Sequence, residues 1–542
     1  EVATITGANS GSLRDSGSSG TFNFSSFEQI DLQGGNDTVL FNSNAASLAA
    51  NVDLGAGTGD TLSYGGYSNT VSVSLNDITA NSGTTTSGGA TAIGGTASGF
   101  ESLVGGSSSG DTLIDSTGDS SVSVTGANSG TIDGLTFSAF ENLNLSTGND
   151  TVTVNGSGST VSLTGSLDLG DGTNSLTMNG SAGSIASVSS GTGDDTVSIS
   201  AGLVTGAVTA GNGTNSLTIS GTNSRVGSYT SGTGGDSVTL SGGDVVGNVS
   251  TGTGSDTVLI SSTSSTIGGS LDLGTGDADT LSYAGYSNAV SVTLTGISSN
   301  SGSTGAGGAT AITDSAAGFE NLVGGSNSGD TLTDSTGDST IVISGANSGT
   351  IDGMTFSSIE NLSLSTGIDG VTVQSGGSLS GNLNLGDGTS NTLVMNSGAG
   401  PIGSVTAAGG NDTITMNGGT VTGAVNVGDG ANALTINDTN SSIGSYTGGS
   451  GIDTIESKGG DILGTVSTGS AADSVTLSLG ATITGAVTLG ASSDGSDGND
   501  SLTLNASSIT GAVNTGSAAD TVSLSNACLL YTSDAADDTP CV

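Results

Sequence analysis

Along most of the chain, apolar and small polar residues alternate with period two. Val197/Ile199, Leu217/Ile219, Val238/Leu240 and Val475/Leu477 each enclose a Thr or Ser. Such alternation of β-branched and aliphatic residues predicts short strands with one buried face. The strands open alike. A small-residue turn ends in Asp or Asn and the alternation follows, as in Gly148–Val152, Gly193–Val197 and Gly254–Val258. This anchor residue falls at Asp150, Asn174, Asp195, Asn215, Asp236, Asp256 and Asp279, then at Asp369, Asn391, Asp412, Asn432, Asp453 and Asp473, in steps of mostly 20 to 22 residues. A fixed period of that size predicts stacked supersecondary units rather than a globular core.

In the regular stretches each repeat carries a second apolar run built around Gly: Val204-Thr-Gly206-Ala-Val208, Val421–Val425, Ile483–Val487 and Ile509–Val513. Gly at that recurring place supplies the bend between two strands, because the backbone turns there without a Cβ. Two short strands per coil bury their apolar face only by stacking, about 4.8 Å from coil to coil. The expected fold is therefore all-β, a right-handed parallel β-helix (a β-solenoid) of ~20–22 residues per coil.

A longer duplication overlies the coil repeat. Leu62-Ser-Tyr64-Gly-Gly-Tyr67 returns as Leu281–Tyr286, and Gly99-Phe-Glu101, Asp111 and Glu141-Asn-Leu143 return as Gly318–Glu320, Asp330 and Glu360–Leu362. The expected division is 1–56 as partial coils, 57–275 and 276–493 as the two long copies, and 494–527 as further coils. Ser/Gly-rich stretches at Asn81–Gly89 and Ser299–Gly308 read as loops leaving the coil. Residues 528–542 abandon the pattern, and Cys528-Leu-Leu-Tyr-Thr-Ser533 resembles a translated sequencing adapter, so 528–542 reads as a non-native tail. Both cysteines, Cys528 and Cys541, fall in it, which leaves no disulfide framework in the remainder.

Composition narrows the function. Gly supplies 98 of 542 residues, Trp and His are absent, and the formal charge is −45. That charge argues against nucleic acid or an anionic membrane as partner, since both need Lys and Arg against phosphate. No segment is long and apolar enough to cross a membrane as a helix. Most of the acid is Asp, which suits turns and oxygen-ligated Ca²⁺. With no His and only Arg14, Arg225 and Lys458 as cations, no catalytic constellation is present, and the expectation is a non-enzyme.

The turns Gly191-Thr-Gly-Asp-Asp195, Gly232-Thr-Gly-Gly-Asp236 and Gly252-Thr-Gly-Ser-Asp256 resemble the calcium-binding nonapeptide of RTX proteins. The resemblance implies Ca²⁺ held by Asp195, Asp236 and Asp256, and at the matching anchors by Asp150, Asp412 and Asp453. The plain alternative is an Asp/Asn turn whose side chain bonds the backbone, with interleaved Asn relieving repulsion along the column. The regular coils also resemble an RTX ice-binding adhesin segment, whose Thr array would run through Thr192, Thr233 and Thr253. The Gly-bend strands resemble autotransporter passenger repeats. These resemblances imply a fragment of a large secreted or cell-surface bacterial protein acting as adhesin or structural stalk. Its partners would be a host or neighbouring-cell surface, glycans or matrix, and its location extracellular. The alternative is a calcium-dependent binding module, ice-binding segments included.

Phe-Glu pairs at Phe27/Glu28, Phe100/Glu101, Phe140/Glu141 and Phe319/Glu320, with Ile359/Glu360, read as wider corners with the apolar residue inward and Glu outward.

Overall fold

The computed structural model describes residues 1–15, 17–79, 82–87, 92–156, 161–276, 278–298, 301–305, 311–490 and 497–532. Its described elements are all strands, stacked in parallel as a β-solenoid. They group into two compact units, Glu1–Gly276 with Ala311–Asp314, and Asp277–Thr310 with Ser315–Val542.

In the first unit, each regular coil gives one strand to each of two facing parallel sheets. Thr151–Gly156, Ser175–Gly180, Thr196–Ile199, Ser216–Ile219, Ser237–Leu240 and Thr257–Ile260 pair in order in the first sheet. The alternation aligns Val152, Leu176, Val197, Leu217, Val238 and Val258 as one inward column, buried throughout. In the second sheet, Leu167, Val188, Val208, Tyr229, Val249 and Leu271 form the matching column. Each such side chain contributes roughly 1.5–3 kcal/mol by leaving water, so a thin core suffices when it is continuous. The register of the second sheet shifts between Val204 and Ala207, at Gly206, where the bend was expected. The second unit repeats the scheme, with Val371, Leu393, Ile414, Leu434, Ile455 and Val475 in one column.

The loose segments are not loops leaving the coil. In the first unit Ser72–Thr79, Ser82–Ser87 and Thr96–Phe100 run antiparallel to one another inside the second sheet. In the second unit Ser291–Ser298, Ser301–Gly305 and Ala316–Phe319 do the same. Most of Asn81–Gly89 and part of Ser299–Gly308 are thus sheet strands; 81, 88–89, 299–300 and 306–308 lie outside the described residues. A strand pattern without apolar residues, such as Ser82-Gly-Thr-Thr-Thr-Ser87, gives no hydrophobic period and so reads as loop in the sequence.

A corresponding detour enters the first sheet at Ser121–Gly126, Ser129–Ile132 and Leu135–Ser138. Its second turn is Asp133-Gly134, with φ of 48° and 90°, the left-handed pair that a two-residue hairpin needs. Each detour adds two strands to its sheet within one passage of the chain. Another detour of this kind lies in the first sheet at Val2–Gly7, Ser10–Arg14 and Thr21–Ser25, and parallel stacking resumes at Thr112 in the second sheet and at Thr151 in the first.

Candidate functional site

The period-two pattern extends one step into the turn. In Asp150-Thr-Val152 the Val side chain is inward and Thr151 exposed, so Asp150 points inward too, at 1% exposure. Every anchor of the regular stretches is likewise buried, Asp and Asn alike.

There they form a ladder between coils. Asp150 Oδ1 accepts the Ser120 N–H at 2.7 Å, and the Asp150 N–H donates to Asn174 Oδ1 at 2.9 Å. The sequence continues through Asn174 to Asp195 (2.9 Å), Asp195 to Asn215 (3.1 Å), Asn215 to Asp236 (2.7 Å) and Asp236 to Asp256 (2.7 Å). In the second unit it runs from Asp369 through Asn391, Asp412, Asn432 and Asp453 to Asp473. Anchor carbonyls complete the ladder by accepting from the next coil, as Asp150 does from the Ser175 N–H at 2.8 Å. Oδ1 therefore caps the neighbouring coil's backbone. Asp150, Asp195, Asp236 and Asp256 share one ladder, and Asp412 and Asp453 share its counterpart in the other unit.

The second side-chain atom separates Asn from Asp. Asn174 Nδ2 donates to the carbonyl oxygens of Gly170 and Gly172 at 3.2 and 3.3 Å. Asn215 makes the same pair with Gly211 and Gly213, and Asn432 with Gly428 and Gly430. Asn391 differs: its turn begins at Asp387, and its Nδ2 has no hydrogen-bond partner. Oδ2 of Asp150 and Asp412 is also buried without a hydrogen-bond partner. Burial pushes the Asp150 and Asp453 carboxyls up to about 6, against the backbone N–H bonds that pull them down. Asp195, Asp236, Asp256 and Asp412 are raised for the same first reason. The Ser190 and Ser231 hydroxyls beside Asp195 and Asp236 offset part of that rise.

No group of three or more His, Cys, Asp or Glu side chains converges among the described residues. A cation at a turn would thus be held by one carboxyl oxygen and main-chain carbonyls, an oxygen-only set suited to Ca²⁺. The exposed Thr192 is engaged locally, its N–H and hydroxyl both donating to Asp171 Oδ1 at 2.7 and 2.9 Å, while Thr233 pairs with Thr253 of the next coil.

The Phe-Glu corners are partly reversed from expectation. Phe100, Phe140, Phe319 and Ile359 are buried, but Phe27 is 53% exposed. The glutamates of the buried corners do not point outward. Glu101 Oε2 accepts the Asp60 N–H at 2.9 Å, Glu141 that of Asp111 at 3.1 Å, Glu320 that of Asp279 at 2.9 Å and Glu360 that of Asp330 at 3.2 Å. They are rungs, one methylene longer than Asp. Sequence reasoning missed them, and missed Asp37, Asp60 and Asp500, although the signal was present. Glu101-Ser-Leu103 places its acid two residues before an inward Leu, as Asp150-Thr-Val152 does before Val.

In comparisons with known proteins, no family model matches this chain and no curated protein matches it.

Proposed function

We propose that this chain is part of a secreted or cell-surface bacterial protein, in which stacked coils serve as a structural stalk or an adhesive surface. The supporting observation is the parallel pairing of coil on coil through each unit, with inward Val, Leu and Ile and outward Ser, Thr and Asp. Such stacking resists extension through many inter-strand hydrogen bonds and presents a repetitive polar exterior. The test is retention of cells and of glycan- or matrix-coated beads on surfaces bearing the full chain, together with single-molecule pulling. Retention above a bare surface supports adhesion, and stepwise resistance supports a stalk. Absence of both retention and resistance would sink the reading.

A second reading, a calcium-dependent module of RTX type, is favoured by the buried Oδ2 atoms of the Asp rungs. Asp195, Asp236 and Asp256 would be ligands in it, with Asp150, Asp412 and Asp453. Melts of the chain in Ca²⁺, Mg²⁺ and EDTA at matched ionic strength test it; stabilisation unique to Ca²⁺ supports it.

A further inference from the structure

The phrase Gly-Ala-Asn-Ser-Gly occurs three times, at Gly7–Gly11, Gly126–Gly130 and Gly345–Gly349, and each time it turns an antiparallel detour in the first sheet. The third strand of each detour sets a Phe opposite the last Gly of that phrase: Phe24 opposite Gly11, Phe137 opposite Gly130 and Phe356 opposite Gly349. Two of the three detours are covered. Leu135–Ser138 pairs in parallel with Ser102–Val104, which sets Leu103 beside Phe137, and Met354–Ser357 pairs with Asn321–Val323, which sets Leu322 beside Phe356. Leu135, Phe137, Met354 and Phe356 are accordingly buried, and so are Phe140 and Ile359 at the corner that follows.

The detour that holds Phe24 is open. Thr21–Ser25 pairs with Ser10–Arg14 on one side, and no strand lies on its other side among the described residues. Phe22 is 60% and Phe27 53% exposed, where their counterparts Leu135 and Phe140 are buried. With Phe24, which packs edge-on to Phe27 at 5.7 Å, and with Leu13 and Ile30 they line a cavity of about 240 Å³. The second sheet is open at the same level. Ile30–Asp31 pairs with Val52–Asp53, whereas its counterpart Asn142–Asn144 pairs on both sides, with Thr112–Asp115 and Leu163–Asp168. An apolar face beside unpaired strand edges is a place for another strand.

We propose that this face seats one further solenoid coil, supplied by polypeptide N-terminal to Glu1. The two covered detours give its chemistry. Glu101-Ser-Leu103 and Asp111-Thr-Leu113 belong to the coil over Phe137, and Glu320-Asn-Leu322 and Asp330-Thr-Leu332 to that over Phe356, with seven residues between Leu and Asp in both. The first Leu of the occupant lies beside Phe24 as Leu103 does beside Phe137, and the second beside Ile30 as Leu113 does beside Leu143. Glu28, exposed, stands where Glu141 and Glu360 accept the N–H of Asp111 and Asp330. The occupant is thus a coil of Glu-x-Leu and Asp-x-Leu type, which fills the cavity with aliphatic side chains and gives Glu28 its donor. A second copy of the chain is the poorer fit, since each copy brings a formal charge of −45. The assignment holds whether the coils adhere or bear load.

The test compares the full chain with one extended before Glu1 by a copy of its own Gly99–Asp119, the coil over Phe137. The match of Gly7 with Gly126 makes Glu1 the counterpart of Ser120, so the graft enters in register. Hydrogen exchange is read at the Asn23 amide, because its counterpart, the Thr136 N–H, donates to the Glu101 carbonyl at 2.9 Å. The graft is expected to slow that exchange about tenfold and to remove binding of an apolar dye. The same graft carrying Leu103→Asp and Leu113→Asp is expected to do neither. Unchanged exchange and dye binding in the extended chain, or equal protection by the two grafts, overturns the proposal. So does concentration-dependent sedimentation of the unextended chain that F22S abolishes, because the occupant is then a second copy.

Discussion

The Glu141 carboxylate accepts the backbone N–H of Asp111 at 3.1 Å across a gap of 30 residues, and its other oxygen takes Asn128 Nδ2 at 2.8 Å. Glu360 repeats both contacts with Asp330 and Asn347. A side chain of another length thus fills the rung where the chain enters and leaves a hairpin detour.

Truncation at that rung exposes its value. E141A leaves the buried Asp111 N–H without an acceptor and is expected to cost about 1–3 kcal/mol. E141Q keeps an acceptor oxygen and should cost less. Hydrogen exchange read at the Asp111 amide checks this: protection retained in E141A would refute the rung.

Two glycines with positive φ should respond unequally. Gly134 has φ 90° and no atom within 4 Å of an added Cβ, so G134A meets backbone strain alone, about 1–2 kcal/mol. Gly172 has φ 133°, and its Cβ would overlap the Gly148 carbonyl oxygen of the adjoining coil. G172A is expected to separate coils and abolish amide protection around both residues, whereas G134A leaves it in place. Equal melting temperatures for the two variants would contradict this packing.

Tyr283 is buried, packs edge-on to Tyr286 at 6.0 Å, and its hydroxyl has no hydrogen-bond partner. Y283F removes only that hydroxyl and should be neutral or stabilising. Y283A opens a cavity and should cost about 3–5 kcal/mol. Chemical denaturation of the two variants decides, and a large loss in Y283F would show that the hydroxyl has a partner.

In EDTA, stability should depend on pH through the rungs. Burial raises Asp369 and Asp500 to about 6, from 3.8. The folded chain then holds protons that the unfolded chain releases, so this stability is complete below about 4 and is lost as pH rises through about 6. Melts between pH 4 and 8 should show the decline, and D369N should flatten it. An unchanged slope in D369N would assign the effect to the overall negative charge instead.

The strands and their period were legible because one residue in two is buried, and that requirement writes itself into Val, Leu and Ile. The ladder was half legible. The Asp and Asn anchors stood out by composition, yet their inward direction follows only when Asp150 and Val152 are counted on one face. Glu141 was hidden by its different length and by its neighbour Phe140, which suggested a corner. The detours were least visible: Asp133-Gly134 between Ile132 and Leu135 is a hairpin signal, but Thr- and Ser-only strands offer no apolar contrast.

The ladder has a direction. The N–H of Asp195 waits for Asn215, that of Asn215 for Asp236, and that of Asp236 for Asp256. A coil thus remains chemically open until its successor in the chain exists. Completion travels backwards, from later residues to earlier ones, whatever order synthesis imposes. A chain threaded out N-terminus first would carry an unfinished trailing edge throughout its passage, sealed only as each new coil arrives behind it.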